Sequence, residues 1–197
     1  TTKTMTFLCA LMLADRGELD LDAPVVNYWP EFGANGKDRI PVRFLLSHTA
    51  GVPGFSRPFS NAELYNWEFA CADLASQEPW WEPGIQSGYH AITQGYLIGE
   101  VIRRITGRTI GTYFREEVAE KIGVDFHIGV PPSEFNRIAD LIPAVEIAPI
   151  LQMDPDSITA RVFAGEMTEG DLTDVTRTDG WRRAEIPAAN GHGNARS

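Results

Sequence analysis

Cysteine is scarce: Cys9 and Cys71 are the only two in 197 residues, too few to staple a small domain with disulfides. Both fall on apolar faces of expected helices, which reads as a pair of buried, reduced thiols. Basic residues are also in deficit. With 17 Lys and Arg against 27 Asp and Glu, the formal net charge is −10, and no cationic cluster suits nucleic acid or an anionic membrane surface. No stretch of about 18 apolar residues is present, so no membrane-spanning helix is expected. His127 and His192 lack Cys, Asp or Glu partners at ligand spacing, so no metal is expected, and nothing calls for a cofactor. A phosphate loop, a dinucleotide fingerprint and a Gly-x-Ser-x-Gly elbow are all absent, which argues against nucleotide enzymes and ordinary α/β-hydrolases. No internal repeat, low-complexity tract or long strand run is found. A cytoplasmic location is favoured, although the absence of a visible leader says little.

What is present suits one folded domain with a sizeable core: 43% of residues are hydrophobic, and roughly 100–200 residues is the usual domain size. The chain opens on Thr1-Thr2-Lys3-Thr4-Met5, read as the first turn of a helix whose buried face is Met5, Leu8, Cys9, Met12 and Leu13, with Gly17 as its stop. A helix starting so abruptly suggests further chain upstream. A short helix is expected around Pro24 to Tyr28, a loop over Gly33 to Lys37, and another short helix after Pro41 that ends at Ser47-His48-Thr49-Ala50-Gly51. Ser60 and Glu63 form a capping box for a helix with Leu64, Trp67, Cys71 and Leu74 on one face. The loop Trp80-Trp81-Glu82-Pro83-Gly84-Ile85-Gln86-Ser87-Gly88-Tyr89-His90 is aromatic and glycine-rich where loops are normally small and polar. Helices are then expected from Ile92 to Ile105, stopped by Gly107, and from Thr109, with Ile110, Tyr113, Phe114, Val118 and Ile122 inward, stopped by Gly123. Beyond Val124 prolines punctuate the chain, 145–185 reads as acidic loop, and Asn190 to Ser197 as a turn entering a helix.

Lys3 is the first candidate for chemistry. In the first turn of a buried helix an amine faces the positive end of the dipole, which with desolvation favours its neutral, basic form. Taken alone it reads equally as a lysine that snorkels from a helix end. Tyr89, presented from the aromatic loop, is a natural second proton carrier beside it.

These residues fall into a pattern. Thr1-Thr2-Lys3 resembles the last three residues of the serine-x-x-lysine motif of serine β-lactamases and penicillin-binding proteins, whose serine would stand just before Thr1. Leu45-Leu46-Ser47-His48-Thr49-Ala50-Gly51-Val52-Pro53 is similar to the family's leucine-leucine-x-histidine-threonine-x-glycine signature. Trp81-Glu82-Pro83-Gly84, followed by Tyr89-His90-Ala91, resembles its proline-glycine loop and tyrosine motif, and Ile92 to Gly107 the helix after it. The four landmarks run in order over residues 1 to about 125.

The resemblance implies an α+β β-lactamase/transpeptidase-like fold, of which this chain would hold the nucleophile helix (1–16), a helical lobe (17–130) and a loop-rich segment (131–197), mostly helix and loop, without the terminal strands. It also implies acyl transfer: the serine attacks an ester or amide carbonyl, Lys3 and Tyr89 move its proton, and water releases the acyl group. His90 and Trp81 would line the substrate pocket, and His48 is read as a hydrogen-bonded structural histidine at a helix end. Two departures matter. The tyrosine motif ends in Ala91 where class C β-lactamases carry asparagine, which favours the β-lactamase-like, family VIII carboxylesterases. The lysine- or histidine-threonine/x-glycine strand is missing, and Gly191-His192-Gly193 is read as a mimic of it. A β-lactamase, a DD-peptidase and a non-catalytic binding or scaffold protein are the alternatives. An N-terminal-nucleophile hydrolase using Thr1 needs flanking strands, and the sequence there offers a helix. The implied partner is a small-molecule ester or amide, with neither nucleic acid nor a membrane span.

Overall fold

The computed structural model describes residues 1–140, 154, 156–166 and 176–193. Its centre is α5 (Thr93–Thr106), buried without interruption from Thr93 to Ile102. Such a helix must satisfy its polar side chains internally. Thr93 Oγ1 donates to Val52 O (2.9 Å), and Gln94 Nε2 donates to Leu45 O and Leu46 O (3.0 and 3.1 Å). Glu100 accepts from Trp67 Nε1, Arg103 and Arg104 at 2.7–2.8 Å. Basic residues in the last turn and Gly107, left-handed at φ 69°, end the helix as expected.

Around α5 pack α1 (Thr2–Asp15), α2 (Val42–Leu46), α4 (Trp67–Ser76) and α6 (Ile110–Phe114). Proline at the entry of α2 behaves as expected, and a 3₁₀ turn at Val25–Asn27 fills the place of the predicted Pro24–Tyr28 helix. The Gly33–Lys37 loop is largely part of a kinked 3₁₀ stretch, Pro30–Gly36. Cys9 and Cys71 are free and buried. Among the described residues no helix is long and apolar enough to cross a membrane, and no group of three or more His, Cys, Asp or Glu could hold a metal.

Four expectations are corrected. The buried stripe of α1 is Thr2, Thr6, Cys9, Ala10 and Leu13, and Leu8 is exposed. Two threonines displace the larger apolar residue because both hydroxyls find partners: Gly191 N donates to Thr2 Oγ1 (2.8 Å), and Thr6 Oγ1 donates to Pro187 O (2.6 Å). The Ser60–Glu63 capping box forms, but its helix, α3, spans only Asn61–Tyr65. Asn66 is extended and caps α4 afresh, accepting from Phe69 N at 3.1 Å, as asparagine does when it competes with the helix backbone. A π-helical turn at Arg115–Ala119 adds a residue to the turn before α7 (Glu120–Ile122), which rotates Ile122 to the surface. Finally, the late segment is not all loop. It contains α8 (Ile158–Glu166), α9 (Asp179–Arg183) and β2 (Gly191–Gly193), which pairs antiparallel with β1 (Phe126–Ile128), His127 opposite His192. The predicted helix start after Asn194 lies outside the described residues.

Candidate active site

Three chain segments meet at the N-terminal turn of α1. The first is α1 itself, whose first turn carries Lys3. The second, 47–54, closes α2. His48 there takes the left-handed backbone at φ 62°, and Gly51 a φ of 82°, where an added Cβ would stand 2.8 Å from Trp81 O. The third is the aromatic loop 80–91. Segments two and three are zipped by backbone bonds: Trp80 N to Gly51 O (2.7 Å), Gly84 N to Thr49 O (2.9 Å) and Gly88 N to His48 O (3.1 Å). Gly84, at φ 90°, lies so close to the Phe44 ring that a Cβ would sit 2.7 Å from it. The glycines of both segments are therefore needed where the loop must turn and approach closely.

This zipper presents Tyr89. Its side chain is exposed, with the ring centroid 4.9 Å from Lys3 Nζ and 5.0 Å from the His48 ring. Lys3 Nζ donates to Ala91 O and, at 3.2 Å, to Ala188 O. Ala91, the position where an asparagine side chain was missed in the sequence, thus supplies a backbone acceptor to the lysine. The two predicted catalytic residues are brought together.

His90 and Trp81 stand behind Tyr89. His90 is 0% and Trp81 8% exposed, so in this chain both support the loop from inside. Their rings meet edge to face at 6.0 Å. The His90 backbone N–H donates to His48 Nδ1 at 3.0 Å, which makes Nδ1 of His48 the unprotonated nitrogen and fits the structural reading of that residue. His90 Nδ1 donates to Gly88 O at 2.6 Å, leaving Nε2 buried as an unpartnered acceptor among the described residues. Burial holds the His90 imidazole down at about 4, with His48 and Lys3 adding to the effect. Burial, then the Lys3 charge, lowers His48 as well. The histidine pair is neutral at ordinary pH, so it adds no positive charge beside the lysine.

Sequence reasoning missed the backbone carbonyls that receive the Lys3 amine. Nothing in the residue types marks Ala91 O or Ala188 O as lysine acceptors, since a backbone carbonyl carries no sequence signal. Thr2 and Thr6 stand at i, i+4 on one face, a signal present in the sequence that a reading by apolar spacing alone does not use.

A helix opened by a lysine, packed on a tyrosine loop that a histidine segment holds, is the arrangement of β-lactamase-type serine hydrolases. The Beta-lactamase family model matches residues 1–197, and the chain belongs to that family. It is 37% identical over its whole length to the esterase/beta-lactamase LipL of Mycobacterium tuberculosis, of which it covers 47%. Among solved structures, a family VIII carboxylesterase superposes with a TM-score of 0.86 at 39% identity, over 98% of this chain and 50% of that one. A penicillin-binding protein homologue from Caulobacter crescentus gives 0.83 at 38% identity, over 98% and 50%. The chain spans about half the length of the relatives it matches.

Proposed function

We propose that this chain is the lysine- and tyrosine-bearing half of a serine hydrolase that cleaves carboxylic esters of small molecules. The observation that carries the reading is the approach of Lys3 Nζ to Tyr89 at the mouth of α1. A serine in the position before Thr1 would lie three residues from Lys3, on the same helical face. Its hydroxyl loses a proton to Lys3 or Tyr89 as its oxygen attacks the ester carbonyl. The tetrahedral intermediate collapses, the alcohol leaves with a proton returned by the same pair, and water repeats the sequence on the acyl-serine. The neutral His48–His90 pair supports this role, because it orients Tyr89 without placing a second cation beside Lys3.

Ester rather than lactam hydrolysis is favoured by Ala91, which offers Lys3 a carbonyl and offers a substrate no side-chain amide. β-Lactam hydrolysis is the second reading, favoured by the double name of the Mycobacterium tuberculosis relative. The test uses the whole protein. A fluorophosphonate probe should label the serine before Thr1, and p-nitrophenyl acetate and butyrate should be turned over faster than a chromogenic cephalosporin. Labelling that survives replacement of that serine by alanine refutes the mechanism, and preferential cephalosporin turnover reverses the substrate assignment.

A further inference from the structure

The N-terminal part of α1, Thr2 to Thr6, is held by a frame that the reaction chemistry alone does not require. Three of its side chains reach three backbone groups of one short segment. Thr6 Oγ1 donates to Pro187 O (2.6 Å), Lys3 Nζ to Ala188 O (3.2 Å), and Gly191 N donates to Thr2 Oγ1 (2.8 Å). The segment is itself wound around one side chain. Asn190, 1% exposed, accepts from Ile186 N at 3.0 Å through Oδ1 and donates to Trp181 O at 2.8 Å and to Ala184 O through Nδ2. Ala189 N and Asn190 N close the turn onto Ile186 O (2.9 and 3.1 Å).

Its outer side rests on α5 at two glycines one turn apart. A Cβ on Gly95 would sit 2.5 Å from Ala188 N and 3.0 Å from both Pro187 C and Ala188 Cβ. These are mostly backbone atoms and cannot swing aside. A Cβ on Gly99 would meet the Trp67 ring at 2.6 Å and only brush Pro187 Cγ at 3.4 Å. Gly95 is thus the position whose missing side chain sets how near the 186–190 turn comes to α5, and with it where the Ala188 carbonyl stands relative to the Lys3 amine on the neighbouring α1. Neither Gly95 nor Gly99 has a left-handed backbone, so the need is for space and not for conformation.

We infer that Gly95, through the Pro187–Ala188 carbonyls it seats, and Thr6, through its bond to Pro187 O, are positioning residues for the Lys3 amine. They touch no substrate. They fix the height and direction of the amine, and an error of about 1 Å in such a group costs up to about a hundredfold in rate. For its kinetic arm the inference rests on the ester hydrolysis proposed above.

The test compares Gly95→Ala, Thr6→Val and Thr6→Ser with the unmodified whole protein. The first readout needs no catalysis: acetylation of Lys3 by acetyl N-hydroxysuccinimide, followed by mass spectrometry across a pH series. Carbonyl acceptors favour the ammonium form, so withdrawing them should move the labelling midpoint down by about half a unit or more in Gly95→Ala and Thr6→Val. Thr6→Ser, which keeps the hydroxyl, should match the unmodified protein. The second readout is kcat and KM for p-nitrophenyl butyrate: the first two variants should lose at least about tenfold in kcat with KM changed less than about twofold, and their pH–rate profiles should shift with the labelling midpoint. A folded Gly95→Ala protein with an unmoved midpoint and unchanged kcat overturns the inference. If Gly95→Ala does not fold, Thr6→Val decides, and an unmoved midpoint there overturns it. An unmodified protein that neither takes the fluorophosphonate nor cleaves the ester defeats the proposed function, and the labelling series still judges the frame.

Discussion

Acid should unfold this protein partly through one imidazole. His90 is buried, donates from Nδ1 to Gly88 O and has no partner for Nε2 among the described residues, so its charged form is excluded from the fold. Its folded value of about 4 lies below the ordinary 6.5. The unfolded chain therefore binds a proton that the folded chain refuses anywhere between these two values. Stability from this group is complete above about pH 7, falls as pH drops through 6.5, and stops falling below about 4. Linkage puts the loss at about 2 kcal/mol by pH 5 and about 3 kcal/mol in full. His48 moves in the same direction and deepens the trend. The assay is urea unfolding followed by tryptophan fluorescence at pH 7.5, 6, 5 and 4.5, for the native protein and His90→Gln. Glutamine keeps a donor for Gly88 O and does not titrate. The variant should be less stable at pH 7.5 but should lose less between pH 7.5 and 5 by about 2 kcal/mol. An identical slope in both proteins refutes the reasoning, whatever the variant's absolute stability.

Gly84→Ala should destabilise the tyrosine loop, since φ 90° is strained for alanine and the Phe44 ring stands 2.7 Å from the new Cβ. A cost of about 1–3 kcal/mol corresponds to roughly 2–4 °C in Tm per kcal/mol for a chain of this size, read by scanning calorimetry; an unchanged Tm sinks the argument. Both thiols should be silent toward an aromatic disulfide reagent in the native state, because burial pushes Cys9 up to about 12 and raises Cys71 too. Labelling should appear with the urea transition, and rapid labelling without urea contradicts the packing of α1 and α4 on α5.

Much of this was legible in residue order. Gly107 and Gly123 end helices where a left-handed residue is needed, Ser60 and Glu63 cap each other, and Lys3 and Tyr89 meet as the family pattern implies. The failures share a cause. Apolar spacing puts Leu8 on the inward face, whereas the face that is buried is the one whose hydroxyls meet an acceptor at Pro187 O and a donor at Gly191 N. The helix across Asn66 looked continuous because its apolar spacing continues, while the break is a local competition by one amide. Strand β2 is three residues long, two of them glycine, and exists because Phe126–Ile128 is there to pair with it. His90 directly follows Tyr89, yet Tyr89 is exposed and His90 buried, a difference that adjacency in sequence does not foretell.

The bonds of Lys3 span 88 residues to Ala91 and 185 to Ala188. On the ribosome the lysine emerges first and its last acceptor much later, and at about 5–20 residues per second that interval is roughly 10–40 s. Ala91 O is made about halfway through it, but for all of it α1 lacks the Ala188 carbonyl, the second acceptor of its amine. A nascent chain stalled before residue 188 can form α5 and the tyrosine loop and still lack the second carbonyl that receives the Lys3 amine, so the setting of that amine waits on a turn far along the chain from the helix that carries it.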